Sequence, residues 1–144
     1  MFVTQILASK GTQGVLTIDP AATVADAVAE LAARRIGALV VSADGRTADG
    51  ILSERDIVRE LGRSGAAVMG KKVAALMTAE LTCAAPGDQA DRILQQMTDG
   101  RFRHMPVVED GLLVGLISLG DVVKARLSEV SMEKDALEAM ISGF

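Results

Sequence analysis

The chain repeats itself. Gly50-Ile51-Leu52-Ser53-Glu54-Arg55-Asp56 returns as Gly115-Leu116-Ile117-Ser118-Leu119-Gly120-Asp121, 65 residues further on. Pro20, Ile36 and Val41 return as Pro86, Phe102 and Val107 after 66, and Thr17 has its counterpart in Thr82. A register kept over that distance marks an internal duplication, with one residue lost in the second turn, where length is tolerated. Each copy reads as strand, helix, strand, strand, helix. A unit of that size cannot bury its own sheet, so two copies should pack face to face about a pseudo-two-fold axis. The fold class is mixed α/β (α+β), two pseudo-symmetric β-α-β-β-α repeats packed sheet to sheet. Symmetry then predicts two clefts, each lined by equivalent strand ends and helix starts, where ligands of α/β assemblies tend to sit.

Local signals place the elements. Val3, Ile6 and Leu7 fall at helical spacing and are stopped by Gly11 and Gly14. Val15 to Ile18 reads as a short strand closed by Asp19-Pro20. Thr23 with Asp26 is a capping box that opens a helix reaching Arg34. Ile36 to Val41 is a continuous apolar run suited to a strand covered on both faces. Asp44-Gly45 turns the chain into a strand ending at Leu52, and Ser53 starts a helix expected to stop at Gly62. Leu81 to Ala84 reads as the opening strand of the second copy, with Cys83 inside it as a small buried apolar residue. Around His104, the only histidine, two strands flank an Asp110-Gly111 turn. The expected division is 1–65 for the first repeat with its N-terminal helix, 66–127 for linker and second repeat, and 128–144 for a helical tail.

Composition narrows the function. Apolar residues are 49% of the 144, enough for a substantial interior. A net charge of −4 and only three aromatics (Phe2, Phe102, Phe144) offer neither a basic footprint for duplexes nor a stacking platform for bases, so no nucleic-acid partner is expected. One cysteine allows no internal disulfide and fits a reducing compartment. No apolar run approaches the ~20 residues of a membrane span, and the N-terminus lacks a signal-peptide pattern, so a cytoplasmic location without a membrane partner is the expectation.

The two repeats resemble a tandem pair of cystathionine-β-synthase-type (CBS) domains, specifically a small stand-alone bacterial pair. The residues that carry the resemblance are Ile51-Leu-Ser-Glu-Arg-Asp-Ile-Val58, Arg101-Phe-Arg-His-Met-Pro-Val-Val108 and Gly115-Leu-Ile-Ser-Leu-Gly-Asp-Val-Val123. The resemblance implies a regulatory, non-catalytic module that binds adenosine-containing ligands (AMP, ADP, ATP, NAD or S-adenosylmethionine) in one or both clefts. It also implies a homodimer and a regulated enzyme or transporter as partner. Main-chain groups near Thr17-Ile18 and Thr82-Cys83 are where such a family holds the base, although the same groups could serve only as strand ends.

Residue chemistry fits those implications. Asp56 and Asp121, at helix starts, can accept hydrogen bonds from both ribose hydroxyls. Ser53 and Ser118, with the free helix amides, are candidate phosphate contacts, although Ser-x-x-Asp is also an ordinary capping box. Arg103, His104 and Arg101 form a candidate phosphate clamp, and the resemblance implies that they work with Asp56 and Ser53 across the repeats; Arg55 is either a further cation there or a solvent-facing helix residue. The first copy has Gly37-Ala38 where the second has Arg103-His104, leaving only Arg34 or Arg35 near Asp121. One strong and one weaker nucleotide site are therefore expected. Beyond Asp121, Val123, Leu127, Val130, Lys134, Leu137, Ile141 and Phe144 alternate at spacings of four and three, a coiled-coil-like seam with one polar interruption. That seam could serve self-association or pack on its own domain. The competing readings are a ligand-free dimeric scaffold and, with less support, a nucleotide-processing enzyme. A lone histidine, a lone cysteine and no metal-ligand spacing speak against the enzyme.

Overall fold

The computed structural model describes residues 1–11 and 14–143. Helix α1 (Val3–Ser9) leads into the first repeat: β1 (Thr17–Ile18), α2 (Val24–Arg34), β2 (Ala38–Val41), β3 (Gly50–Ser53) and α3 (Glu54–Ser64). A 3-10 turn (Gly65–Gly70) and α4 (Val73–Leu76) connect to α5 (Ala90–Gly100), β4 (His104–Glu109), β5 (Leu112–Ser118) and α6 (Leu119–Ile141). Three helices begin in capping boxes, Thr23 with Asp26, Ser53 with Asp56, and Ser118 with Asp121. Helices α2 and α5 both end on an arginine in the left-handed conformation, Arg35 at φ 53° and Arg101 at φ 55°. Gly62 does not stop α3: the helix runs on to Ser64, and Gly65 at φ 68° ends it. One helical glycine costs about 1 kcal/mol, whereas a positive φ favours glycine outright.

The first sheet has the order β1-β2-β3, with β1 parallel and β3 antiparallel to β2. In the second, β4 and β5 form a hairpin through Asp110 (φ 53°) and Gly111 (φ 78°), the two positive φ angles of a type I′ turn. The strand expected over Leu81 to Ala84 is reduced to one bridge, Ala84 opposite Val107. Ala84 N donates to the Pro106 carbonyl and Val108 N to the Ala84 carbonyl, both at 2.8 Å. The ladder cannot extend either way. Pro106, which stands where the first repeat has Val40, and Pro86 have no N–H to donate. Cys83 is accordingly exposed rather than buried, and partial burial pushes its thiol pKa up.

Each repeat builds its core with a helix from across the boundary. Val3 and Ile6 of α1 lie among Ile93, Met97, Met105, Ile117 and Val122 of the second repeat. Val73 of α4 lies among Val24, Leu31, Leu39, Leu52 and Ile57 of the first. The docking bonds match pair by pair. Val3 N donates to Asp88 O (2.9 Å) as Val73 N donates to Ala22 O (2.8 Å), and Thr4 N to Pro86 O as Ala74 N to Pro20 O, both at 3.0 Å. The two halves are thus stapled into one body by exchanged segments.

Helix α6 buries only Val122 and Ala125. Leu127, Val130, Leu137 and Ile141 of the seam are all exposed, so this face does not pack on its own domain. Phe144, the last residue of the expected seam, lies outside the described residues.

Candidate functional site

Two cavities lie where the pseudo-symmetry places them. The first, about 310 Å³, is bounded by the start of α3, by residues 78–82, and by Arg101 to His104 of the second repeat. It gathers Ser53, Arg55, Asp56, Thr82, Arg101, Arg103 and His104. Asp56 is one of two buried polar residues of the chain's described part. Its Oδ2 accepts from the Ser53 amide and hydroxyl, both at 2.9 Å, and Oδ1 accepts from Arg59 Nη2 at 2.7 Å. These bonds fix the carboxylate plane at the helix start, facing the cavity. Arg59 was not among the expected site residues, although its spacing, one turn after Asp56, was a usable signal. Glu54 and Glu80 also line this cleft, and the sequence reading passed over both.

The capping geometry limits what the serines offer. Ser53 Oγ accepts from Asp56 N at 3.3 Å and donates to its carboxylate, and the Glu54 amide already donates to Gly37 O at 2.9 Å. The second repeat repeats this, with Leu119 N donating to Arg103 O at 2.7 Å and Asp121 N to Ser118 Oγ at 3.1 Å. The arginines, free of such duties, are the better-placed anion contacts. Each helix start is thereby tied to the strand entry of its own repeat.

The second cavity, about 600 Å³, is lined by Ser118 and Asp121, by Arg35 and Ile36, and by the end of α1 with Lys10. Lys10 Nζ lies 2.8 Å from Asp121 Oδ2 and 2.8 Å from Leu116 O. No local pattern could have announced this pair, because the contact exists only through the segment exchange. Burial pushes the Asp121 carboxyl up, but Lys10 and the Ser118 groups outweigh it and hold the pKa below the usual carboxylate range. Arg35 is the cation the sequence placed here, and Arg34 instead pairs with Glu30. Of the candidate base contacts, only Thr82 lines a cavity. Cys83, Thr17 and Ile18 line neither, and Val15 and Leu16 take that place in the second cleft.

His104 borders both cavities, as does Gly37. A Cβ on Gly37 would stand 3.4 Å from His104 Cε1, so the glycine that contributes no charge makes room for the imidazole. Burial lowers the His104 pKa below 6.5, outweighing Glu54 and Asp121, which act the other way, while Lys10 and Arg103 reinforce the fall. The ring is therefore neutral at pH 7 in the ligand-free protein.

The CBS domain model matches residues 7–63 and 73–128, the two repeats. The chain belongs to the CBS-domain family. A CBS-domain protein of Agrobacterium tumefaciens, ATU1752, has the same fold at 40% identity and a TM-score of 0.83, covering 88% of this chain and 99% of its own. The mitochondrial CBS domain-containing protein CBSX3 of Arabidopsis thaliana is 39% identical over 125 residues, 84% of this chain. The chain spans 61% of that relative's length. The CBS domain pair of protein MJ0100, solved in complex with 5′-methylthioadenosine and S-adenosyl-L-methionine, shares the fold at 20% identity and a TM-score of 0.77 over 90% of the chain. CBS pairs are in general regulatory modules that bind adenosine-containing ligands. Among the described residues no helix is long and apolar enough to cross a membrane, and no group of three or more His, Cys, Asp or Glu is placed to hold a metal ion.

Proposed function

We propose that this CBS pair is a sensor for an adenine nucleotide (AMP, ADP, ATP or NAD), with the first cleft as its principal site. The observation that carries the reading is the convergence in one cavity of an oriented carboxylate, Asp56, with Arg55, Arg101 and Arg103 drawn from both repeats. The ribose hydroxyls donate to Asp56, taking over from Arg59, and the phosphate meets the arginines, whose planar forks match its oxygens. A carboxylate repels phosphate, so sugar and phosphate lie at opposite ends of the cleft. Thr82 and the backbone of residues 78–82 face the base. The complex of MJ0100 with two adenosine derivatives is consistent with such a pocket on this fold.

Thermal unfolding tests the reading. At ~100 times its dissociation constant a nucleotide adds about 2.7 kcal/mol to stability, and AMP, ADP, ATP and NAD all failing to raise the melting temperature would remove it. Sensing also requires that ligand favour one of two conformations, reported to an enzyme or transporter through this chain's own assembly. The exposed seam of Leu127, Val130, Leu137 and Ile141 closes against a second copy. Light scattering should show a dimer that a chain ending at Ser128 loses, and persistence of that dimer would remove the tail from the interface.

A further inference from the structure

The second cleft carries a device that the first lacks. Lys10 stands three residues beyond Leu7, whose side chain lies against Gly115. In the first repeat the residue three beyond Met77, which lies against Gly50 in the same way, is Glu80. The exchanged segments thus deliver a cation to one cleft and a carboxylate to the other. Asp56 is held by Arg59 from its own helix, whereas Asp121 is held by a lysine 111 residues away in sequence. The ammonium neutralises the carboxylate on which a ribose would sit, and it is 41% exposed, so its pair with Asp121 is weak enough to be exchanged.

We propose that Lys10 is a displaceable latch on the second cleft: an entering nucleotide takes Asp121 with its ribose hydroxyls, and the released ammonium turns to the phosphate. This deepens the nucleotide-sensor reading and rests on it. The charges lining the cleft are Lys10 and Arg35 against Asp121, with His104 neutral beside them. While the latch is closed, Arg35 is the one lining cation not paired to Asp121. Once it opens, two cations face the phosphate and the carboxylate faces the sugar. The lysine therefore acts in opposite directions on two ligands. A nucleoside must break the pair and gains nothing from the freed ammonium, while a nucleotide recovers a charged hydrogen bond.

Calorimetry with AMP and adenosine on the Asp56→Asn protein, whose first cleft is disabled, isolates this effect. Adding Lys10→Met should leave adenosine binding unchanged or tighter and weaken AMP, so that the preference for AMP over adenosine falls ~10-fold. Lys10→Arg should retain the preference. An unchanged preference in Lys10→Met overturns the latch, and so does equal weakening of both ligands, which would make Lys10 a structural prop. Absence of AMP binding to Asp56→Asn overturns it as well. Absence of AMP binding even to the wild-type protein defeats the sensor reading itself, and the latch with it.

Discussion

Arg103→Ala should weaken AMP binding roughly 10- to 150-fold, the value of a charged hydrogen bond, and leave adenosine binding nearly as it was. Arg103 lines the first cavity at the entry to β4, and its carbonyl already anchors the start of α6 through Leu119 N. The backbone bond survives the substitution, so the side chain can be removed without unmaking the helix start. Calorimetry with the two ligands separates the phosphate contact from the sugar contact. Equal losses for AMP and adenosine would mean that Arg103 shapes the cleft rather than holding phosphate. His104 adds a pH signature to the same measurement. Its pKa is lowered from 6.5 by burial, and a phosphate beside it favours the charged ring, so AMP binding near pH 6.5 should take up a proton. Where a folded pKa is lowered, the histidine's contribution to stability is full above pH 6.5 and is lost as pH falls below it.

Gly50→Ala should destabilise the protein by about 1–2 kcal/mol, and Gly62→Ala should stabilise it by about 0.4–1 kcal/mol. A Cβ at Gly50 would lie 2.6 Å from Met77 Sδ and 3.0 Å from the Thr78 carbonyl, where α4 crosses onto the first repeat. The sulfur can turn away, but the carbonyl is held by its bond from Ile51 N at 3.0 Å. Overpacking of this kind costs about 1–3 kcal/mol, more than the gain from restricting the unfolded chain. At Gly62, inside α3, nothing lies within 4 Å, so only the gain remains. Gly115, the counterpart of Gly50, meets only the flexible side chain of Leu7, and its substitution should cost less. Urea denaturation ranks the three. A Gly50→Ala protein as stable as wild type would mean that the exchanged helix is not seated closely on the strand.

The duplicated strand-to-helix junction was legible because its signals are local. Ser-x-x-Asp caps a helix whatever surrounds it, and two copies in register imply two clefts. The pairing of Asp56 with Arg103 and His104 followed from the resemblance, and the structure brings those residues to one cavity. What escaped depends on contacts between distant segments. An amphipathic turn such as Val3-Ile6-Leu7 does not declare which core it enters, so the exchange of α1 and α4, and with it the place of Lys10, was hidden. The lost strand at Leu81 to Ala84 was hidden differently. The run is apolar enough, but the missing donor is Pro106 on the partner strand. In the sequence Gly37 stands out only as a position without charge, whereas its lack of a side chain lets one histidine border both clefts.

The central claim is that two related clefts hold nucleotide unequally, because the arginines converge on one of them. A calorimetric titration of the wild-type chain with AMP tests it most directly. The account predicts one tight event that adenosine does not match, followed by a weaker one. Two equal events, or AMP and adenosine binding alike, would contradict it.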